Sequence, residues 1–169
     1  ILFTDGFQLS INRYGTSAWI SSDSSSISGS SGADTILGGA SANTINGNDG
    51  DDEIYGAAGN DALNGGNGID LMHGGSGNDA FVGGAGADVI NGGGNLDTAV
   101  YASSNAAVQI DLQANTAHGG HAEGDTLISV EGIVGSSFAD TLTGDSHSNI
   151  LEGGNGNDTY VITADGSSD

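Results

Sequence analysis

The sequence contains no cysteine and no lysine, and its single cationic side chain, Arg13, stands against 22 acidic residues. Without cysteine, neither disulfides nor thiolate metal sites can hold the chain together, so that task falls to oxygen ligands or backbone hydrogen bonds. The formal net charge of −21 argues against nucleic acids and anionic membrane surfaces as partners, because both are bound through clustered Lys and Arg. No apolar run approaches the roughly 20 residues that span a bilayer, so we expect no membrane insertion.

Aromatic residues are also scarce, at 5%, whereas glycine occurs 32 times. Together with the high charge, this composition is typical of a disordered chain, because little apolar surface is available to offset the loss of chain entropy. The order of the residues nevertheless predicts a fold, because the sequence repeats with a fixed period.

The repeat is nine residues long and follows the pattern Gly-Gly-x-Gly-x-Asp-x-apolar-x. It runs in frame for eight units over residues 29–100 and returns for three units over residues 135–161. The sixth position is taken by Asp34, Asn43, Asp52, Asp61, Asp70, Asp79, Asp88, Asp97, Asp140, Asn149 and Asp158. The eighth position is taken by Ile36, Ile45, Ile54, Leu63, Met72, Phe81, Ile90, Ala99, Leu142, Leu151 and Tyr160. Such regularity predicts a solenoid in which each unit is a turn plus a short strand, with the eighth-position side chains in its interior.

Two units are expected to form one coil, so that each unit lies beside the unit two further along, at the parallel-strand spacing of about 4.8 Å. The sixth-position side chains then stack in two columns, one beginning at Asp34 and the other at Asn43. Like charges about 5 Å apart repel by about 3 kcal/mol per pair at an effective dielectric near 20. A cation between coils would turn that repulsion into a cross-link. Ca²⁺, with 6 to 8 oxygen ligands, suits carboxylates and turn carbonyls better than Mg²⁺ does.

On these residues the sequence resembles the repeats-in-toxin (RTX), or hemolysin-type, calcium-binding nonapeptides of secreted bacterial proteins. The resemblance covers residues 29–100 and 135–161. It implies an all-β fold, a right-handed parallel β-roll, with a β-rich insertion between two repeat arrays. It also implies several Ca²⁺ ions between units two apart, export by a type I secretion system, and folding outside the cell.

We expect each ion to be held by two sixth-position side chains and by backbone carbonyls of the turns. The expected pairs are Asp34 with Asp52, Asp52 with Asp70, Asp61 with Asp79, Asp70 with Asp88, Asp79 with Asp97, and Asp140 with Asp158. The expected backbone ligands are Gly47, Gly50, Gly65, Gly68, Gly74, Gly77, Gly83, Gly86 and Gly156, and Asn43 is included as a neutral ligand. Sites should be weaker or missing where Ser41, Asn95, Phe138 or His147 replaces the fourth-position glycine, and where Asn43 or Asn149 replaces the aspartate.

The remaining segments are less regular. Residues 1–28 are expected to be a strand around residues 7–11 and a serine-rich linker, or else the end of a preceding domain. Residues 101–134 are expected to be an inserted β segment, in which residues 108–112 and 127–134 form a hairpin or a longer coil. Residues 162–169 form a C-terminal tail.

The sequence offers few other functional candidates. His118, His121 and Glu123 are close enough in sequence to suggest zinc, but a glycine-rich loop is a poor way to fix imidazoles, and we expect an exposed loop. The repeated carboxylates share one environment, whereas acid–base catalysis needs two different ones, so we expect no catalytic residue.

The favoured function is therefore an RTX module that folds on Ca²⁺ after secretion and stabilises or presents an attached extracellular enzyme. By resemblance, that parent is a hydrolase, protease, lipase or polysaccharide-modifying enzyme. The alternative is a calcium-dependent adhesin or carbohydrate-binding segment, with a polysaccharide bound through Ca²⁺ bridges.

Overall fold

The computed structural model describes residues 17–20 and 26–162 of the chain. The strand expected at residues 7–11 and most of the C-terminal tail lie outside these residues, as does Arg13. The described strands are β1 (Ser17–Ile20), β2 (Ser26–Ser28), β3 (Asp34–Leu37), β4 (Thr44–Asp49), β5 (Glu53–Ala58), β6 (Ala62–Asn67), β7 (Leu71–Ser76), β8 (Ala80–Ala85), β9 (Val89–Gly94), β10 (Thr98–Val100), β11 (Gln109–Asp111), β12 (Thr116–His118), β13 (Thr126–Ile128), β14 (Gly132–Val134), β15 (Thr141–Thr143), β16 (Ile150–Glu152) and β17 (Thr159–Val161). One short 3-10 helix occupies Gly120–Ala122, and no helix among the described residues is long and apolar enough to cross a membrane.

Successive strands alternate between two parallel sheets. Sheet A has the order β1-β3-β5-β7-β9-β13, and sheet B has the order β16-β14-β10-β8-β6-β4-β2. Within the first array, residues pair with residues 18 positions away, as in Ile36 with Ile54 and Leu63 with Phe81. Two nonapeptides therefore form one coil, and the predicted parallel β-roll is confirmed.

The eighth-position side chains form the interior of the roll. Ile36, Met72 and Phe81 are fully buried, and they belong to one apolar cluster that continues to Leu142. The flanking residues of each strand point outward, because successive side chains of a strand alternate between its two faces. Tyr160 differs from the other eighth-position residues: it is 48% exposed in β17, the edge strand of its sheet and the last strand described.

The segment between the arrays contains both a hairpin and further coils of the roll. Strand β11 pairs antiparallel with β12, and β11 also begins a third sheet, sheet C, with the order β12-β11-β15-β17. Residues 127–134 do not pair with residues 108–112. Instead β13 extends sheet A beside β9, and β14 extends sheet B beside β10.

The strands before the first nonapeptide also join the roll. Strand β1 pairs in parallel with β3, and β2 pairs in parallel with β4. The ladder of each main sheet therefore begins before Gly29, the first residue in the repeat frame.

Candidate metal sites

The turns of the first array place the sixth-position side chains in two buried columns, and Asp140 and Asp158 form a separate pair beside sheet C. One carboxylate oxygen, Oδ1, accepts a hydrogen bond from the backbone N–H of the sixth-position residue in the neighbouring coil. These bonds run from Asp34 to Asp52 (2.8 Å), Asn43 to Asp61 (2.7 Å), Asp52 to Asp70 (2.8 Å), Asp61 to Asp79 (2.8 Å), Asp70 to Asp88 (2.9 Å), Asp79 to Asp97 (2.8 Å) and Asp140 to Asp158 (3.0 Å). All six expected aspartate pairs are thus brought together.

The second carboxylate oxygen of the central aspartates has no hydrogen-bond partner. This holds for the buried Oδ2 atoms of Asp52, Asp61, Asp70, Asp79, Asp88 and Asp97. Leaving such a buried acceptor unsatisfied costs about 1–3 kcal/mol, and more if it is charged. A structure that buries six of them requires a compensating group.

The nature of this compensating group is indicated by a backbone carbonyl that faces the carboxylate from the next coil. A Cβ atom on Gly65 would lie 2.2 Å from Asp70 Oδ2 and 2.7 Å from the carbonyl oxygen of Gly83 in the next coil. The same convergence occurs at Gly47, Gly56 and Gly74, which face Asp52 with Gly65, Asp61 with Gly74, and Asp79 with Gly92. An unpartnered carboxylate oxygen and a carbonyl oxygen of the neighbouring coil thus lie close to the same point. The arrangement fits a hard cation with oxygen ligands, and it uses space that any side chain at these glycines would fill.

The other predicted glycines shape the turn itself. Gly68 has φ +140°, and a Cβ there would lie 2.0 Å from the carbonyl oxygen of Gly50. The fourth-position glycines Gly50, Gly68, Gly77, Gly86 and Gly156 all have positive φ. A left-handed backbone at this position favours glycine and directs the turn away from the strand.

Ten of the eleven units fall into two classes of turn. The last unit, which begins at Gly153, has positive φ at Gly154 and Gly156, but its Asp158 is only half-buried. In the first class, which we call open turns, the second and fourth residues have positive φ and the aspartate Oδ2 is unpartnered. Open turns are the six units that begin at Gly47, Gly56, Gly65, Gly74, Gly83 and Gly92. Asn95, expected to weaken its unit, adopts φ +87° and keeps an open turn.

In the second class, which we call closed turns, the N–H of the second residue donates to the sixth-position side chain. These bonds join Ser30 to Asp34 (2.6 Å), Gly39 to Asn43 (2.7 Å), Ser136 to Asp140 (2.6 Å) and Asp145 to Asn149 (2.8 Å). Three of these units carry Ser41, Phe138 or His147 in place of the fourth-position glycine. In closed turns a protein donor already satisfies the oxygen that faces the turn.

The electrostatics of the columns favour a cation. Burial raises the pKa of Asp70 to about 6, the N–H of Asp52 opposes that rise, and the nearby carboxylates of Asp88 and Asp51 add to it. Burial likewise raises the pKa of Asp52, Asp88 and Asp97 to about 6. Ionised carboxylates are therefore costly here in the absence of a bound positive charge.

No group of three or more His, Asp or Glu side chains among the described residues is placed to hold a metal. In the loop where zinc was considered and an exposed loop was expected, His118 Nδ1 lies 3.7 Å from Glu123 Oε1, and both side chains are exposed. Any ion in the turns must take most of its ligands from backbone carbonyls, which is usual for Ca²⁺ and unusual for zinc.

Two residues that the sequence analysis did not single out extend the columns. The backbone N–H of Asp88 donates to Asp125 Oδ1 at 2.8 Å, and that of Asp97 donates to Glu131 Oε2 at 3.0 Å. Each lies two positions before a buried apolar residue, Leu127 or Ile133, as a sixth-position residue does. That spacing was the available signal, but the glycine frame around it is broken.

Fold and turns together define a calcium-binding repeat solenoid. A family model described as the RTX calcium-binding nonapeptide repeat (4 copies) matches residues 28–63, 64–99 and 133–160. The chain belongs to this family, whose repeats bind Ca²⁺ in their turns and occur in secreted proteins. The solenoid is a structural module that binds several Ca²⁺ ions, and it is not catalytic. No curated protein matches the chain.

Proposed function

We propose that this chain is a calcium-triggered folding module that stabilises or presents an attached extracellular enzyme. The observation that carries the proposal is the row of buried, unpartnered aspartate oxygens in the open turns. A protein that folded without a cation would have to bury these oxygens unpaired and close together, at a cost that its thin apolar interior must offset.

The strongest ion sites in this proposal lie where an open turn faces a carbonyl of the next coil. They combine Asp52 with Gly65, Asp61 with Gly74, Asp70 with Gly83, and Asp79 with Gly92. Closed turns, such as those of Asp34 and Asp140, already carry a protein donor on the same oxygen. We expect them to bind Ca²⁺ more weakly.

The trigger follows from the difference in calcium across the cell boundary. Extracellular calcium modules commonly bind with dissociation constants of about 0.1–1 mM, far above the free calcium inside cells. At low calcium, repulsion within a chain of net charge −21 opposes folding, and export proceeds with an unfolded chain. Outside the cell, ions in the turns neutralise the columns, and the roll folds beside its parent domain.

The test uses the parent protein with this chain attached. Its thermal inactivation should be slower in about 1 mM calcium than in chelator, and the difference should vanish when Asp70 and Asp79 are both changed to Asn. Replacing two exposed carboxylates instead, with Asp49→Asn and Glu152→Gln, is the matched control and should keep the calcium effect. Equal inactivation rates with and without calcium in the unmodified protein would refute the stabilising role.

A groove on sheet B favours carbohydrate binding as a second candidate function. It has a volume of about 460 Å³ and is lined by polar side chains that include Asn64, Asn67, Asp49, Ser103 and His121. Amides, carboxylates and hydroxyls in a groove match the hydroxyl groups of a sugar. A glycan array probed with and without chelator tests this function, and the absence of calcium-dependent binding would reject it.

A further inference from the structure

The column that begins at Asn43 continues past the last nonapeptide of the first array. Within the array, Asp97 Oδ1 accepts the N–H of Asp79 at 2.8 Å. At the next step, Glu131 Oε2 accepts the N–H of Asp97 at 3.0 Å, although 34 residues rather than 18 separate them. Glu131 therefore takes the place of the next sixth-position carboxylate, outside the residues that match the repeat family.

A carbonyl from the same segment completes the arrangement. In the regular coil, a Cβ on Gly74 would lie 2.2 Å from Asp79 Oδ2 and 2.7 Å from the carbonyl oxygen of Gly92. At the junction, a Cβ on Gly92 would lie 2.5 Å from Asp97 Oδ2 and 2.2 Å from the carbonyl oxygen of Ser129. Ser129 itself has a left-handed φ of +50°, unusual for a non-glycine residue. The chain thus adopts an unfavourable backbone conformation where its carbonyl meets the carboxylate.

An unsatisfied buried group points into this space. Asp97 is 1% exposed, and its Oδ2 has no hydrogen-bond partner. It faces another acceptor, the Ser129 carbonyl, with the Glu131 carboxylate beside it in the column. We propose that Asp97, the Ser129 carbonyl and Glu131 form a further Ca²⁺ site that lies outside the nonapeptide frame. The proposal rests on calcium binding by the repeats and adds an ion that fastens the inserted segment to the first array.

The other column, which begins at Asp34, ends at Asp125 without a comparable arrangement of oxygen atoms. Asp125 Oδ1 accepts the N–H of Asp88 at 2.8 Å, but its Oδ2 accepts the buried Tyr101 hydroxyl at 2.9 Å. The three atoms nearest to a Cβ on Gly83 all belong to Asp88, at up to 3.4 Å, so no carbonyl lies as close to it as the Ser129 carbonyl lies to a Cβ on Gly92. At this step a tyrosine hydroxyl satisfies the second oxygen of Asp125, and we expect no ion beside that carboxylate.

The test counts bound ions in the whole chain by native mass spectrometry at saturating calcium. Glu131→Gln keeps an acceptor for the Asp97 N–H and removes the charge, and it should lower the count by one. Asp125→Asn is the matched change in the other column and should leave the count unchanged. An unchanged count in Glu131→Gln, or the loss of an ion in Asp125→Asn, would overturn the proposal. A chain that bound no Ca²⁺ at all would refute calcium binding itself, so the two failures are distinguishable.

A second measurement does not depend on whether the variants fold. Anomalous diffraction from crystals of the unmodified chain grown in calcium should show a peak between Asp97, Ser129 and Glu131 and none beside Asp125. A map with peaks in the repeat turns but none at Glu131 would also overturn the proposal.

Discussion

Each open turn places one requirement on its first-position glycine and another on its sixth-position aspartate. The first-position glycine must lack a side chain, because the carboxylate of its own unit and, except at Gly83, a carbonyl of the next coil occupy that space. The sixth-position aspartate must present an oxygen that no protein donor satisfies. The repeat therefore specifies an ion site in two ways: the glycine has no side chain to fill the space, and the aspartate supplies an oxygen that no protein donor satisfies.

The glycine requirement predicts unequal effects of one substitution at two positions. Gly84 has φ +107°, and a Cβ there would lie 1.9 Å from the carbonyl oxygen of Gly66, whereas at Gly94 the nearest atom is 3.9 Å away. Gly84→Ala should lower the free energy of unfolding in calcium by about 2–4 kcal/mol, through backbone strain and overpacking. Gly94→Ala should change it by less than about 0.5 kcal/mol. Denaturant unfolding measures both, and equal losses would contradict the turn geometry.

The aspartate requirement predicts an effect that changes sign with calcium. Asp70→Asn keeps an acceptor for the Asp52 N–H but removes a buried charge that lies beside Asp88 and Asp51. With calcium, the folding midpoint should move to calcium concentrations about tenfold higher or more, a loss of about 1.4 kcal/mol. Without calcium, the variant should be more stable than the unmodified chain, because it buries one charge fewer.

The control for this comparison is Asp49→Asn, which removes the same charge from an exposed position outside the columns. It should leave the calcium midpoint within about twofold of the original, because exposed charge interactions are weak. Calcium titrations followed by circular dichroism report both midpoints. A midpoint for Asp70→Asn that matches the control would exclude the column as the site of binding.

At the scale of strands and turns, the nonapeptide frame predicts most of the fold. It predicts a short strand after each sixth-position residue and pairs these strands 18 residues apart, and β3 to β10 follow that register. Strands β4 to β9 continue for three residues into the next unit. The frame does not include β13 and β14, whose residues were expected in a hairpin or a longer coil, because only the spacing of an acidic residue before a buried apolar one survives there, in Asp125 with Leu127 and in Glu131 with Ile133. Without the turn glycines, that spacing alone is common in any strand.

Turn class could not be predicted from the motif. The first unit has the fourth-position glycine Gly32 and yet forms a closed turn, whereas Asn95 stands in an open one. The deciding feature is the backbone of the second residue: Ser30 is placed to donate to Asp34, whereas Asn48 and Ala57 adopt a φ of +82° and turn their N–H groups away. Non-glycine residues accept that conformation only when contacts with neighbouring coils impose it.

The buried carboxylates of the two columns predict that the folding stability of the calcium-free chain depends on pH. Burial raises the folded-state pKa of Asp52, Asp70, Asp88 and Asp97 to about 6 from the usual aspartate value of 3.8. The folded state therefore binds more protons between these values, and stability should fall as the pH rises from about 4 to about 6. Circular dichroism of metal-stripped protein at several pH values checks this, because the folded fraction should be larger at about pH 4 than at about pH 6. A folded fraction that increased with pH over that range would contradict the burial of these carboxylates.

At the scale of the whole molecule, repulsion within a net charge of −21 opposes folding, whereas burial of the narrow apolar interior favours it. Each coil contributes only two core side chains, so the roll is stabilised mainly between neighbouring coils, as in other repeat proteins. Ions between coils act on the same nearest-neighbour contacts. Binding of one ion should therefore favour binding of the ion at the neighbouring coil, and the folded fraction should rise steeply with calcium concentration.

Circular dichroism during a calcium titration of the whole chain is the most direct test of calcium as the folding trigger. The spectrum should be that of an unfolded chain in chelator and should become that of a β protein over a narrow calcium range, reversibly when chelator is added again. Magnesium at the same concentration should not replace calcium, because it keeps its water ligands. A β spectrum already complete in chelator would show that the columns close without ions and would contradict the account.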